Sequence, residues 1–289
     1  MAKKSIVPLK ELNLTDRFLF DEVMEDPQIH QEVLSLILGR EISLLQESKT
    51  EKEGRISPLI RSIRMDLFAI DREEQVYNTE MQKKRKDDLP KRSRYYQGMM
   101  DTGLLEPGIP SYNLLNDSYL IMIMPFDLFG YEKYQYTFVP QCQEVPQCKL
   151  QDGTVRIFLN TKGKNDDEVP KELIEFLHYI ENTTDEVAQQ SKSKKIRHIH
   201  ERVCEVKRSE EIGVKYMQAW EEKYYEREEG REEGIRAKLK ELVGKKLKKG
   251  KTAEEIADML EEEPKIIEEL IKEIEKEQLQ NKGVEKYGF

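Results

Sequence analysis

Two acidic residues on either side of a short polar turn are the clearest candidates for chemistry in this sequence. Asp66 lies in the largely apolar segment IRMDLFAI (63–70), and Glu80 lies in the returning segment QVYNTEMQ (75–82). If these segments pair as antiparallel strands around a turn centred on Glu73, Asp66 lies directly opposite Glu80. Cross-strand partners have Cβ atoms about 5 Å apart. The spacing therefore predicts two carboxylates close together in a sheet.

Such a pair of carboxylates is well suited to hold a divalent cation. Like charges at this spacing repel each other, and burial strengthens the repulsion, which a cation relieves. Oxygen ligands suit Mg²⁺, with Mn²⁺ or Ca²⁺ as alternatives. A cation held there binds phosphate oxygens and lowers the pKa of a bound water. A purely structural role stays open, because Asp66 can pair with Arg61, Arg64 or Arg94, and a shifted turn moves Glu80 to the other face.

A basic segment follows Glu80 directly. Residues 83–94, KKRKDDLPKRSR, include seven basic and two acidic residues, although the whole chain has a formal net charge of −9. The local field, rather than the total charge, decides where a polyanion docks. Phosphate contacts position a nucleic acid without reading its sequence. The segment therefore predicts a nucleic-acid interface of low sequence specificity beside the carboxylates.

The elements that must position these residues follow from hydrophobic periodicity. Helical spacing over 12–38 predicts two helices broken at Asp26-Pro27, with Asn13 or Thr15 as N-cap and Gly39 as C-cap. The stretch from there to Gly54 is polar and predicts no element. The remaining elements expected in this half are a helix over 88–105, a buried strand over 118–126, and strands over 134–139 and 154–159.

The second half predicts only helices from residue 168 onwards. A long helix over 210–247 contains the near-repeat REEGREEG, whose glycines either permit close approach of a partner helix or mark a marginal exposed helix. Thr252 and Glu255 form a capping box before two short helices split at Pro264. The second of these is strongly acidic and would repel phosphate, so the pair is interpreted as a self-association module. Its apolar stripe comprises Ile256, Leu260, Ile266, Ile267, Leu270, Ile271 and Ile274.

The order of these elements resembles a known family. A strand with Asp66 is followed by a strand with Glu80-Met81-Gln82, then by a basic helix with KRSRYY at 91–96 and by the apolar strand, all behind LTDRFLF at 14–20. This order is similar to the recombination-promoting nuclease and transposase family of the PD-(D/E)xK superfamily, over roughly residues 12–159. The resemblance implies an α/β fold: a restriction-endonuclease-like core with a mixed sheet flanked by helices, then an all-helical C-terminal region.

The resemblance also implies roles for individual residues. Asp66 and Glu80 would be the metal ligands, and Gln82 stands where the superfamily usually has a lysine that orients the attacking water. Lys84 would supply the missing charge if the strand continued to it. An acidic residue of the first helical region, Glu22 or Glu32, would complete the site. The residues expected to bind DNA are Lys83, Arg85, Lys91, Arg92, Arg94 and Tyr96, of which Arg92 and Tyr96 share one helix face.

The function expected from these features is that of a Mg²⁺-dependent DNA endonuclease of mobile-element type, with DNA as partner and a homodimer formed through the C-terminal helices. The absence of lysine at Gln82 motivates an alternative, a weak or inactive nucleic-acid-binding or assembly protein on a nuclease scaffold. A third alternative is a scaffold protein that acts through its C-terminal helices. The expected domains are 1–165, a nuclease-like domain, 166–208, a helical extension, and 209–289, a charged helical tail.

Several other features argue against competing classes of protein. No stretch approaches the ~20 apolar residues of a membrane helix, and no apolar run follows the N-terminal charges, so a cytoplasmic location is expected. Three cysteines do not make a disulfide framework. His198 and His200 are two residues apart and point apart on a helix, so they cannot share a metal. They are interpreted as part of a solvated basic patch.

Overall fold

A computed structural model describes the backbone of residues 6–45, 49–54, 63–104 and 111–285. Within these ranges, the side chains of residues 49–54, 63–66, 103 and 278–285 are not described. The chain divides into two compact units, Met1–Tyr216 and Met217–Phe289. The helices that directly follow the sheet pack into the same unit as the sheet, and the three domains expected from sequence stay a prediction.

The first unit is built on a six-stranded mixed sheet. The strands are β1 (Lys49–Gly54), β2 (Ile63–Ile70), β3 (Val76–Met81), β4 (Ser118–Met124), β5 (Gln135–Phe138) and β6 (Thr154–Asn160), in the order β1-β2-β3-β4-β6-β5. β3, β4 and β6 run parallel, and the other neighbouring pairs are antiparallel. The expectation of no element before Gly54 is wrong, because β1 is a polar strand whose sequence, KTEKEG, carries no apolar alternation.

The register of the β2–β3 hairpin agrees with the sequence prediction. Leu67 pairs with Thr79 and Ile70 pairs with Val76, which is the pairing centred on Glu73. β3 ends at Met81. The strand therefore does not continue to Lys84, as the role expected for that residue required.

Two helices precede the sheet, α1 (Arg17–Met24) and α2 (Pro27–Leu38). The cap of α1 is Asp16, whose carboxylate accepts a hydrogen bond from the Phe18 amide, so the prediction of Asn13 or Thr15 is wrong. The Asn13 side chain instead accepts from the Thr183 amide at 3.0 Å. The break between α1 and α2 is confirmed, and Gly39 ends α2 with a φ of 64°, which glycine adopts without strain.

Side-chain alternation along the strands creates a hydrophobic core on each face of the sheet. The helices that follow the hairpin are α3 (Leu89–Leu104), α4 (Lys171–Glu181), α5 (Asp185–Gln190) and α6 (Lys194–Arg208). On one face, Leu67, Tyr77 and Ile121 pack with α1, α2, α4 and α6. On the other, Phe68 and Val76 pack with α3. The expected α/β fold, a mixed sheet flanked by helices, is therefore confirmed.

All secondary-structure elements described in the second unit are helices. It contains most of α7 (Glu210–Leu247), with α8 (Ala253–Leu260) and α9 (Pro264–Glu285). The capping box at Thr252 and Glu255 is present. The apolar stripe of α8 and α9 packs against Leu239, Val243 and Leu247 of α7. Ile256, Ile267 and Leu270 of the stripe are buried within this unit and its other residues are partly buried, and the self-association expected of these helices stays a prediction.

Among the residues that the structure describes, no helix carries an apolar stretch long enough to cross a membrane.

Candidate active site

Glu80 lies near the carboxyl end of β3 on the face covered by α3. It is flanked on β4 by Met122, and only 1% of its side chain is exposed. On the other side of β3, Leu67 of β2 pairs with Thr79. Continuing this register by one position places residue 66 opposite Glu80. The side chain of Asp66 lies outside the described residues. The backbone thus brings together the two positions that the sequence predicted to meet.

Arg92 of α3 reaches across the face of the sheet to Glu80. Its Nη2 donates to Glu80 Oε2 at 2.6 Å, and its Nη1 donates to Gln82 Oε1 at 2.8 Å. Its Nε donates to the hydroxyl of Tyr96 at 2.9 Å, one helical turn further along α3. Because a guanidinium is planar and its donors are fixed in a fork, these three bonds set the relative positions of the three partners.

Gln82 follows β3, and both the oxygen and the nitrogen of its side-chain amide form hydrogen bonds. Its Oε1 accepts from Arg92, and its Nε2 donates to the backbone carbonyl of Lys84 at 2.9 Å. Its own backbone N–H donates to Ile123, so the residue stays anchored beside β4. An amide has two lone pairs and two N–H hydrogens, and one of each is used here. The residue that replaces the superfamily lysine is therefore oriented, but it carries no charge.

The residues predicted to bind DNA divide into two groups. Tyr96 is buried under Arg92, Lys83 pairs with Asp16 at 3.3 Å, and Arg85 donates to the backbone carbonyl of Asp127 at 2.9 Å. Lys83 and Arg85 are nevertheless exposed, as are Lys84, Lys86, Lys91 and Arg94. Lys84 contributes its backbone carbonyl to the site, while its side chain is exposed. A cationic surface therefore surrounds the end of β3, and part of the basic segment is used to fasten the loop.

Asn78 is a polar residue at this site that the sequence reasoning missed. It precedes Glu80 by two positions on the same face of β3 and is fully buried. Neither its amide nitrogen nor its amide oxygen has a hydrogen-bond partner in the described part of the chain. A buried amide without partners costs about 1–3 kcal/mol. The available signal was an asparagine two residues before Glu80 in the predicted strand, which places it on the same face as Glu80.

The acidic candidates of the first helices are engaged elsewhere. Glu22 of α1 is buried and forms an ion pair with Lys215. Glu32 of α2 accepts from His198 Nδ1 at 2.9 Å, and this hydrogen bond raises the pKa of that histidine. The Asp16 carboxylate, by contrast, contacts Lys83 in the loop after β3. The structure brings neither Glu22 nor Glu32 into a described contact with Glu80 or Gln82.

The residues around Glu80 fit a hard divalent cation. The potential ligands on this face are carboxylate and amide oxygens from Glu80, Gln82 and Asn78, with a second carboxylate opposite at residue 66. Oxygen ligands favour Mg²⁺, Mn²⁺ or Ca²⁺ over zinc or copper. The partnerless amide of Asn78 also fits a hydrated ion, since bound water supplies both donors and acceptors. Glu80 and residue 66 would hold the ion, and Asn78 would contact its water.

Comparison with known proteins agrees with this geometry. The family model described as PD-(D/E)XK nuclease family transposase matches residues 17–233. No curated protein and no solved structure gives a significant match. The matched region includes the whole sheet, the carboxylate positions, the basic segment and α3, and it makes up most of the chain. The chain therefore belongs to the PD-(D/E)XK nuclease family transposases.

Proposed function

We propose that the protein is a metal-dependent DNA endonuclease that hydrolyses phosphodiester bonds with low sequence specificity. The observation that carries the proposal is the buried Glu80 opposite residue 66, held by Arg92 together with Gln82 at the end of β3. Family membership supports nuclease chemistry, and the oxygen ligands support Mg²⁺ as the cofactor.

Each residue of this site has a proposed role. Asp66 and Glu80 bind the cation, which supplies a nucleophilic water at neutral pH and neutralises charge on the phosphate. Arg92 positions Glu80 and Gln82, since its described hydrogen bonds go to protein side chains. The remaining lone pair and hydrogen of Gln82 orient the attacking water. Lys84, Lys91 and Arg94 contact the DNA backbone from the exposed surface.

A plasmid-nicking assay tests the proposal. Purified wild type with Mg²⁺ or Mn²⁺ converts supercoiled plasmid to open circles, and a chelator stops the reaction. Asp66→Asn and Glu80→Gln each lose nicking, because either change removes one ligand charge while keeping the side chain's shape. Asp87→Asn is a matched control, since Asp87 is an exposed acid in the same basic segment. It nicks like wild type.

DNA binding gives a second readout that does not depend on cleavage. Lys91→Ala and Arg94→Ala each reduce the slope of log affinity against log salt by about one, because each removes one phosphate contact. Normal nicking by Asp66→Asn would sink the site assignment. Salt-dependent DNA binding without nicking under any divalent ion would favour the alternative, an inactive nucleic-acid-binding protein, which the uncharged Gln82 already suggests.

A homodimer through α7 belongs to the same proposal. Met217, Tyr225 and Ile235 expose large apolar surfaces on this helix, and a Cβ added to Gly230 or Gly234 would meet no atom within 4 Å. A second copy of α7 would cover these side chains, whereas the two glycines lie on the opposite side of the helix and are not part of this interface. Analytical ultracentrifugation checks this: the wild type sediments as a dimer and Tyr225→Glu as a monomer. A monomeric wild type at micromolar concentration rules the dimer out.

A further inference from the structure

A second group of metal-ligating side chains lies on the helices that follow the sheet. Asp185 is the first residue of α5, and His200 and Cys204 are four residues apart on α6. His200 Nε2 lies 3.0 Å from Asp185 Oδ1 and 3.5 Å from Cys204 Sγ. One ligand atom from each residue lies within 4.8 Å of the other two. Two ligands on a tetrahedral Zn²⁺ lie about 3.3–3.6 Å apart at normal bond lengths, so these distances are close to those of a chelate.

The contacts of the His200 ring distinguish a metal-binding site from a nucleophilic Cys–His–Asp relay. In a Cys–His–Asp relay, the acid and the nucleophile contact different ring nitrogens. Here Asp185 and Cys204 both approach Nε2, and Nδ1 lies 2.8 Å from the hydroxyl of Tyr179. When Nδ1–H donates to that hydroxyl, the Nε2 lone pair faces a carboxylate and a sulfur atom. A cation between the three relieves this arrangement, and Tyr179 then holds the ring as outer partners of metal-bound histidines do.

We propose that Asp185, His200 and Cys204 form a site for a zinc-class transition-metal ion, separate from the cation site at the end of β3. Sulfur and imidazole ligands select such metals over Mg²⁺. Asp185 is 74% exposed while His200 is 14% exposed, so the fourth coordination position opens to solvent and takes water. The ion fastens the short helix α5 to α6, and α6 packs against α1 and α2. Loss of the ion therefore loosens the helical layer on this face of the sheet.

Cobalt binding to the full-length chain tests this site. After reduction and chelator treatment, Co²⁺ titration of the wild type gives one equivalent of thiolate-to-cobalt absorption, which Zn²⁺ removes by displacement. Cys204→Ser abolishes the absorption, whereas the matched variants Cys142→Ser and Cys148→Ser keep it. Tyr179→Phe keeps the absorption but raises the Co²⁺ dissociation constant roughly 10- to 100-fold, as loss of an outer partner does.

The controls keep this result independent of the nuclease site and of folding. Glu80→Gln retains the cobalt absorption, so failure of one proposal leaves the other standing. Circular dichroism checks that Cys204→Ser is folded, and Asp185→Asn, which changes an exposed side chain, provides a second variant with weakened binding. A wild type without thiolate–cobalt absorption would overturn the proposal, as would a folded Cys204→Ser that retains it.

Discussion

Arg92→Ala is the most informative single change, because Arg92 holds the buried Glu80 in place. Its guanidinium lies 2.6 Å from a carboxylate that is 1% exposed, while its own side chain is 26% exposed. Breaking a fully buried ion pair by removing one partner costs about 3–5 kcal/mol. Since the guanidinium keeps part of its contact with water, we expect a smaller loss, about 2–3 kcal/mol in the free energy of unfolding.

Denaturant unfolding of the metal-free protein measures this loss, and Arg94→Ala is the matched control. Arg94 has the same side chain on the same helix but is exposed, so its removal changes stability by no more than about 0.5 kcal/mol. Arg92→Lys gives an intermediate loss, because an ammonium keeps the charge but not the fork that contacts Glu80 and Gln82 together. A thermal scan of Arg92→Ala shows a decrease of roughly 4–12 °C for a unit of this size.

Adding divalent cations to Arg92→Ala then tests whether Glu80 belongs only to a structural ion pair or also to a metal site. Without Arg92, Glu80 has lost a positive charge that Mg²⁺ or Mn²⁺ can replace, so millimolar cation restores part of the stability of Arg92→Ala. The same cation does less for the wild type, where Arg92 already compensates Glu80. If Arg92→Ala is as stable as Arg94→Ala, the inferred ion pair contributes nothing. If it is unstable and unaffected by any divalent ion, Glu80 is not a metal ligand.

Two further predictions concern buried polar groups of the first unit. Asn78→Leu removes a buried amide that has no hydrogen-bond partner in the described part of the chain, so the metal-free protein gains about 1–2 kcal/mol on denaturant unfolding, while calorimetry shows weaker Mn²⁺ binding. Burial lowers the pKa of His30 to about 4, below the value of about 6.5 in an unfolded chain. As the pH falls, the unfolded state therefore binds this proton before the folded state does, and the free energy of unfolding falls by about 3 kcal/mol between pH 6.5 and 4. Denaturant unfolding of His30→Leu over this pH range shows a smaller fall than that of the wild type.

The sequence predicted the β2–β3 hairpin well because two local signals agree there. The polar turn fixes the centre of the pairing, and both strands are apolar enough to be buried, with Leu67 and Phe68 on opposite faces of the sheet. The same reasoning predicted that Arg92 and Tyr96 share a helix face. The contact between Arg92 and Glu80 follows once α3 packs over β3.

The features that sequence reasoning missed depend on long-range packing or lack a periodic signal. β1 is polar along its length, so hydrophobic alternation does not predict it, and it forms a strand by pairing with β2. The apolar stripe of α8 and α9 was recognised, but periodicity does not identify the partner, which is α7 of the same chain. The solvated position expected for His200 is wrong, because its side chain is largely buried and contacts Tyr179, which is distant in sequence. The His198 side chain is 43% exposed.

The contact between Arg92 and Glu80 also bears on how folding and metal binding are related. A pair of buried carboxylates that depended only on a cation would make folding depend on that cation, as in small zinc domains. Arg92 supplies one positive charge from within the chain, so the sheet can form around Glu80 before any metal arrives. In the proposed function, a cation bound there would then contribute chiefly to the reaction rather than to the fold. Because of Arg92, we expect the stability of the first unit not to depend on the cation. Removal of the metal is expected to stop nicking while the first unit stays folded.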